Sequence, residues 1–289
     1  MSDQPTGARA GGRDPRGPRP PAPEPLPHPV ADNHCHLDIA DGERWPLEEA
    51  LSAAAAVNVT RIVQIGCDLP GAAWAVEAAA AHDALVAGVA LHPNEAARLD
   101  QQGLLEPALA EIERLAAHPQ VRAVGETGLD YYRTGEEGRP AQEASFRRHI
   151  DLAKRLDRTL VIHDRDAHQD VLRVVGDEGA PDRWVMHCFS GDADVARRCL
   201  ELGAYLSFAG TVTFKNAPHL REALALTPRD RLLVETDAPY LTPMPFRGRT
   251  NASYLVPLTV RAMAEVRGED LEELCVALDE STTAAYGPW

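Results

Sequence analysis

The chain has 289 residues, 44% hydrophobic and 25% charged, enough to bury a large core in one α/β domain. Its formal net charge of −15 argues against a protein that grips nucleic acid through a broad basic face, but leaves room for an enzyme with a small cationic site. Apolar runs such as Ala53 to Val57 fall far short of the roughly 20 residues that span a bilayer, which excludes a membrane anchor of that kind.

Residues 1–29 are rich in Gly, Pro and Arg and carry no apolar stretch, so they are expected to form a disordered leader rather than a secretory signal. Residues 30–289 are expected to form one domain. Its five cysteines, Cys35, Cys67, Cys188, Cys199 and Cys275, show no C-x-x-C pairing; they predict reduced thiols in the core of a cytoplasmic protein.

Beyond the leader, short β-branched runs alternate with longer segments rich in Ala, Leu and Glu, the pattern of repeated βα units around a parallel sheet. Strands are predicted at Val30 to His36, Thr60 to Gly66, Ala84 to Ala90, Val121 to Glu126, Thr159 to His163, Arg183 to Cys188, Ala204 to Phe208 and Arg231 to Thr236. Helices are predicted near Leu47 to Val57, Ala72 to His82, Leu104 to Ala117, Ala141 to Leu156, Ala167 to Asp177, Ala193 to Leu202 and Ala217 to Leu226, with a final pair from Tyr254 onward. Eight such units fit a (β/α)₈ TIM barrel, whose active site lies at the C-terminal ends of the strands. An open doubly wound sheet is the alternative, but no Gly-x-Gly-x-x-Gly follows the first strand.

The barrel makes a test of the polar residues possible, because those that act together must fall at the ends of different strands. His34 and His36 close the first strand, Glu126 the fourth, His163 the fifth and His187 the sixth, while Asp237 follows the eighth. Taken singly, each has an ordinary explanation as a hydrogen-bonded or capping group; six potential ligands at five strand ends point to a metal site. In a strand, His34 and His36 share one face and Cys35 turns to the other, where it packs.

The stoichiometry suits two divalent ions. One would take His34, His36 and Asp237, the other His163 and His187, with the two oxygens of Glu126 between them. Lys154 lies in a predicted helix and Lys215 beyond the seventh strand, so neither is placed to form a carbamylated bridge. Paired ions suit hydrolysis, with Asp237 placed to orient or deprotonate the attacking water. Residue types alone leave Zn, Mn and Mg all open.

Five motifs in order, Asp32-Asn33-His34-Cys35-His36-Leu37-Asp38, Gly125-Glu126-Thr127-Gly128-Leu129-Asp130-Tyr131, His163-Asp164-Arg165-Asp166-Ala167, His187-Cys188-Phe189-Ser190-Gly191 and Glu235-Thr236-Asp237-Ala238-Pro239-Tyr240-Leu241, closely resemble those of TatD-type metal-dependent deoxyribonucleases. The resemblance spans about residues 30 to 286. It implies a metal-dependent TIM-barrel hydrolase that cleaves phosphodiester bonds in DNA, as an exo- or endonuclease acting on single strands or ends, with the six ligands carried onto the positions above. Thr127 departs from the family, which often has an apolar residue there.

The loops after strands seven and eight, where this fold often holds phosphate, carry Lys215, Arg247 and Arg249. These and Arg165, which shares the face of His163, are expected to position the substrate backbone. His92, at the end of the third strand, is expected to contact substrate, protonate a leaving group or anchor its loop. Tyr131 and Tyr132 offer rings on which a base can stack, with packing as the ordinary alternative. His82, His118, His149, His168 and His219 receive no function. The same ligands would also serve an amide or ester hydrolase such as an aminoacyl-tRNA deacylase, and neutralising the loop cations would separate the two.

Overall fold

Eight short segments become eight parallel strands in the computed structural model, which describes residues 19–39 and 45–289. In chain order the strands are β1 (Val30–Cys35), β2 (Val59–Gly66), β3 (Leu85–Val89), β4 (Val121–Asp130), β5 (Thr159–Arg165), β6 (Trp184–Met186), β7 (Tyr205–Phe208) and β8 (Leu232–Val234). Each is hydrogen-bonded to its sequence neighbour, giving the order β1 through β8. The last strand returns to the first through the bridge Cys35–Ala238 and the bonds His36 N to Ala238 O (2.8 Å) and Asp237 N to His34 O (2.9 Å). Asp32 reinforces this seam by accepting from Thr236 N (2.9 Å) and Thr236 Oγ1 (2.6 Å). The eight strands thus curl into the (β/α)₈ TIM barrel expected of the sequence, and the open sheet is excluded.

The helices are α1 (Leu47–Ala55), α2 (Leu69–Ala81), α3 (Pro93–Gln101), α4 (Leu105–Ala116), α5 (Arg139–Leu156), α6 (His168–Glu178), α7 (Ala193–Glu201), α8 (Pro218–Leu226), α9 (Val256–Arg267) and α10 (Leu271–Tyr286). None is long and apolar enough to cross a membrane. Helix α3 has no counterpart in the sequence reading. It starts on Pro93 and is capped by His92, whose Nδ1 accepts from Asn94 N at 3.1 Å; His is not among the usual capping signals, and Leu99 is the one large apolar residue in this short, polar helix.

Two apolar layers result. The larger lies between strands and helices and includes Cys35, fully buried. The smaller fills the barrel with Val63, Ile65, Val86, Ala123, Val161, Val185, Tyr205 and Leu233, and α10 closes it from below with Ala285 and Tyr286. Strand packing is tight enough to require glycine at 125, where a Cβ would lie 2.4 Å from Val161 Cβ and 2.7 Å from Val161 O.

Residues 1–18 of the expected leader lie outside the described residues. Residues 19–29, expected as part of the same disordered segment, instead run along the domain. Leu26 is buried, its N–H donates to Val57 O and its carbonyl accepts from the Asn58 side-chain amide in the α1–β2 turn, while Arg261 donates to the carbonyls of Glu24 and Pro25. Carbonyls freed by the prolines of this segment thus find donors on the barrel, and one leucine finds a pocket; a reading of composition does not register such point contacts.

Candidate metal centre

Bulges in two strands aim the central side chains. Along β4, Val124 pairs with Leu160 and Thr127 with Ile162, so three steps on β4 oppose two on β5. The extra residue falls at Gly125–Glu126 and turns Glu126 into the barrel mouth. Along β1, Asp32 pairs with Ile62 and Cys35 with Gln64, which places a second extra residue beside His34. Strand β4 then continues to Asp130, four residues past its predicted end, because its register with β5 resumes after the bulge.

Four of the nominated ligands converge on the carboxylate of Glu126, and Asp237 approaches two of those four. Glu126 Oε1 lies 3.8 Å from His34 Nε2 and 3.6 Å from His36 Nε2, and Asp237 Oδ1 lies 3.9 and 3.4 Å from the same two nitrogens. The other oxygen, Oε2, lies 3.0 Å from His163 Nδ1 and 2.9 Å from His187 Nε2. His34 and His187 stack at 3.8 Å between ring centroids, so the two halves of the site share a wall.

A cation fits this donor set. Both nitrogens of fully buried His34, together with His163 Nε2, lack a hydrogen-bond partner, a costly state for buried polar atoms unless something binds there. Burial and the nearby His187 lower the pKa of His34, which favours the neutral ring and leaves one of its nitrogens with a lone pair for a cation. Burial opposes charge on Glu126, but His187, His163 and His34 outweigh it and hold the carboxyl well below its usual range. Asp237 is lowered in the same way against its own burial, chiefly by His36. For His187 burial disfavours the imidazolium, yet Glu235 and Glu126 push its pKa well above 6.5; two carboxylates that stabilise a proton at that place also suit a metal ion.

Around these six lies a supporting set that sequence reasoning missed. Glu235 Oε1 is 3.0 Å from His187 Nδ1 and Ile65 O is 3.0 Å from His36 Nδ1, each fixing the ring so that Nε2 faces Glu126. Gln64 holds the end of β1 by accepting from Leu37 N (2.7 Å) and donating to Asp38 Oδ1 (2.8 Å). Glu235 and Asp130 stand in quoted motifs, and their acidic character was the available signal. Cys67 gave none: expected in the core, it instead brings its thiol within 3.1 Å of Glu126 Oε1, because β2 ends at Gly66 and the chain turns over the mouth.

The expected substrate residues are distributed around this centre. The ring of His92 packs against that of His163 at 4.4 Å between centroids. Arg165 lies over Tyr132, and exposed Arg247 over Phe214, which joins the loops after β7 and β8. Lys215 and Arg249 are exposed on those loops. Tyr131 is a packing anchor, with its hydroxyl on Asp170 at 2.9 Å. Thr127 does not crowd Glu126: it points to the opposite side, where Oγ1 lies 3.1 Å from Nδ1 of buried His149 on α5.

Comparison with known proteins gives a consistent result. The sequence model of the family described as TatD related DNase matches residues 31–287. The chain is similar to the uncharacterized metal-dependent hydrolase TatD of Mycobacterium tuberculosis, at 46% identity over 89% of this chain and 98% of the relative. It is also similar to the uncharacterized metal-dependent hydrolase YabD of Bacillus subtilis, at 40% identity over 88% of this chain and 98% of the relative. Among solved structures, the TatD homologue YjjV of Escherichia coli superposes with a TM-score of 0.81 at 27% identity, covering 90% of this chain and 98% of that one.

Proposed function

The chain belongs to the TatD family of metal-dependent hydrolases, and from that premise we propose that it hydrolyses phosphodiester bonds in DNA at the Glu126-centred site. The observation that carries this reading is the division of Glu126, one oxygen toward His34, His36 and Asp237 and the other toward His163 and His187. His34, His36, Asp237, Glu126, His163 and His187 would together hold divalent ions here. Bound there, divalent ions supply Lewis acidity, acidifying water and drawing charge from a phosphoryl oxygen.

The chain's own residues do the rest. Asp237 is the most exposed of the two carboxylates, at 15% for its side chain against 5% for Glu126. Ionised through its neighbours, it accepts the proton of the attacking water. His92 faces the centre from the side of His163. Because its Nδ1 accepts the Asn94 amide at the start of α3, the proton of the neutral ring sits on Nε2, and burial followed by the nearby His163 lowers its pKa to about 3. His92 therefore serves as a neutral donor to a substrate oxygen, the arrangement a helix N-terminus favours. Arg165, Lys215, Arg247 and Arg249 supply positive charge around the mouth for the flanking phosphates.

The test is digestion of end-labelled DNA by the purified protein with its metal content measured alongside. Cleavage abolished by a chelator and restored by a divalent ion supports the reading. Turnover of an aminoacyl ester, without cleavage of DNA in any metal, would overturn it.

A further inference from the structure

On the flanks of the barrel, arginines pair with acids: Arg147 with Glu143, Asp177 and Glu178, and Arg155 with Glu113 and Asp151. At the mouth this pattern changes. The guanidinium carbon of Arg165 lies 3.9 Å from the centroid of the Tyr132 ring, and among the described residues Arg165 makes no ion pair. Arg165 is half-buried at the end of β5, two residues past His163. In a protein of net charge −15, a cation left on an aromatic face beside a cluster of metal-capable side chains is available to an anion from solution.

Tyr132 is 65% exposed, more than any other large apolar side chain among the described residues. Arg165 covers one face of the ring, and the opposite face is open to solvent. The ring is nonetheless firmly mounted. Asp130 Oδ1 accepts from Tyr132 N at 3.1 Å and from Arg133 N at 2.9 Å. The other oxygen of Asp130 accepts from Asn94 Nδ2 at 2.9 Å and lies 3.5 Å from His163 Nε2. A single carboxylate therefore separates the backbone of Tyr132 from a candidate ligand. Tyr131, its neighbour, is tied down by Asp170 and by the bond from its own amide to Arg165 O at 2.9 Å, so the β4–β5 rim is held on both sides of the exposed ring.

A ring held rigidly at its backbone, open on one face and backed by an unpaired guanidinium, matches what a polynucleotide presents: a flat base next to a phosphate. We propose that the open face of Tyr132 stacks a nucleobase of the strand whose phosphate lies at the Glu126 centre, while Arg165 backs the ring and faces the adjoining phosphate. This subsite rests on the reading of the protein as a nuclease and adds a base-recognising element to it. Every base has an aromatic face, so the contact is tolerant of sequence.

The experiment compares binding of a phosphorothioate-linked oligothymidylate with that of an abasic strand of the same length, by fluorescence anisotropy on the metal-loaded protein. The base-bearing strand is expected to bind about tenfold tighter. Tyr132→Ala should bring the ratio close to one, and Tyr132→Phe, which keeps the ring, should restore it. An undiminished ratio in Tyr132→Ala overturns the subsite, and so does an equal loss on both strands, which would mark a merely structural tyrosine. Turnover of bis(p-nitrophenyl) phosphate and of DNA is followed separately. Failure of both with a Tyr132-dependent ratio would remove the nuclease reading and leave the stacking site; cleavage with a Tyr132-independent ratio would do the reverse.

Discussion

The floor and the mouth of the barrel are made by the same eight strands and draw on opposite kinds of side chain. At the floor, Val63, Val86, Val161, Val185 and Leu233 meet Tyr286 from α10, and burying each such aliphatic residue contributes about 1.5–3 kcal/mol. At the mouth, His34, His36, Glu126, His187 and Glu235 are buried with their charges opposed to one another, an arrangement that costs stability unless a partner completes it. Along each strand, then, apolar burial lies at one end and the metal-capable side chains at the other. In this fold that division lets the mouth vary without loss of the barrel.

Removing the centre of the mouth should give the largest effect. Glu126→Ala leaves both groups of histidines without their shared acceptor, and hydrolysis is expected to fall by about 10³-fold or more. Thermal unfolding, followed by circular dichroism in the presence of chelator, should remain cooperative but occur below the wild-type temperature, because the buried imidazoles lose the carboxylate that opposes their charge. A variant that unfolds instead would erase the distinction between the two ends.

The complementary change at the floor is Tyr286→Ala. Tyr286 is 3% exposed and packs in the barrel with Trp289 against it, so truncation is expected to cost about 3–5 kcal/mol in a denaturant titration. kcat/KM of the folded variant should stay near the wild-type value. A hundredfold loss of kcat/KM with unchanged stability would show that the floor reaches the chemistry.

How much of this could be read in advance also differs between the two ends. The eight strands and the gathering of the six nominated side chains at one end of the barrel were legible because period, composition and strand-end position carry them directly. The bulges that aim His34 and Glu126 were not, since an extra residue in one strand shows itself only against its partner. Helix α3 escaped because a histidine caps it. Cys67 escaped for a different reason: its residue type favours packing, and only the turn after β2 brings its thiol to Glu126. Strand alternation alone aligns Arg165 with a phosphate; its stacking on Tyr132 depends on β4 running on to Asp130.

His149 sharpens the comparison, as a buried histidine that belongs to the scaffold. Its Nδ1 donates to Ser145 O at 2.7 Å and its Nε2 accepts from Leu91 N at 3.3 Å, which fixes a neutral ring. Burial is the main cause of a pKa lowered from 6.5 to about 4. Above pH 6.5 the ring is neutral whether the chain is folded or not, so it confers no pH dependence there. Below 6.5 the unfolded chain takes up a proton that the folded one refuses, and stability falls until about pH 4. The full loss is worth about 3 kcal/mol. Urea titrations across this range should show the loss in the wild type and its reduction in His149→Gln; equal slopes in both would assign it to other groups.

The smallest expected effect lies one layer behind the mouth, at Glu235. Its Oε1 is 3.0 Å from His187 Nδ1, while its Oε2 has no hydrogen-bond partner and the residue is fully buried. Glu235→Gln keeps the shape but removes the charge that makes His187 a stronger donor toward the centre, and partners of this kind are typically worth about 10–100-fold in metal affinity or activity. The measurement is metal affinity by competition with a chelator, run beside kcat and thermal unfolding. Weaker metal binding is expected together with unchanged or raised stability, since a buried carboxylate with one unpaired oxygen has been neutralised. If affinity stays at the wild-type value while stability drops, Glu235 belongs with the floor, as a residue that holds β8 in place, and the boundary between folding and chemistry runs closer to Glu126 than the bond to His187 implies.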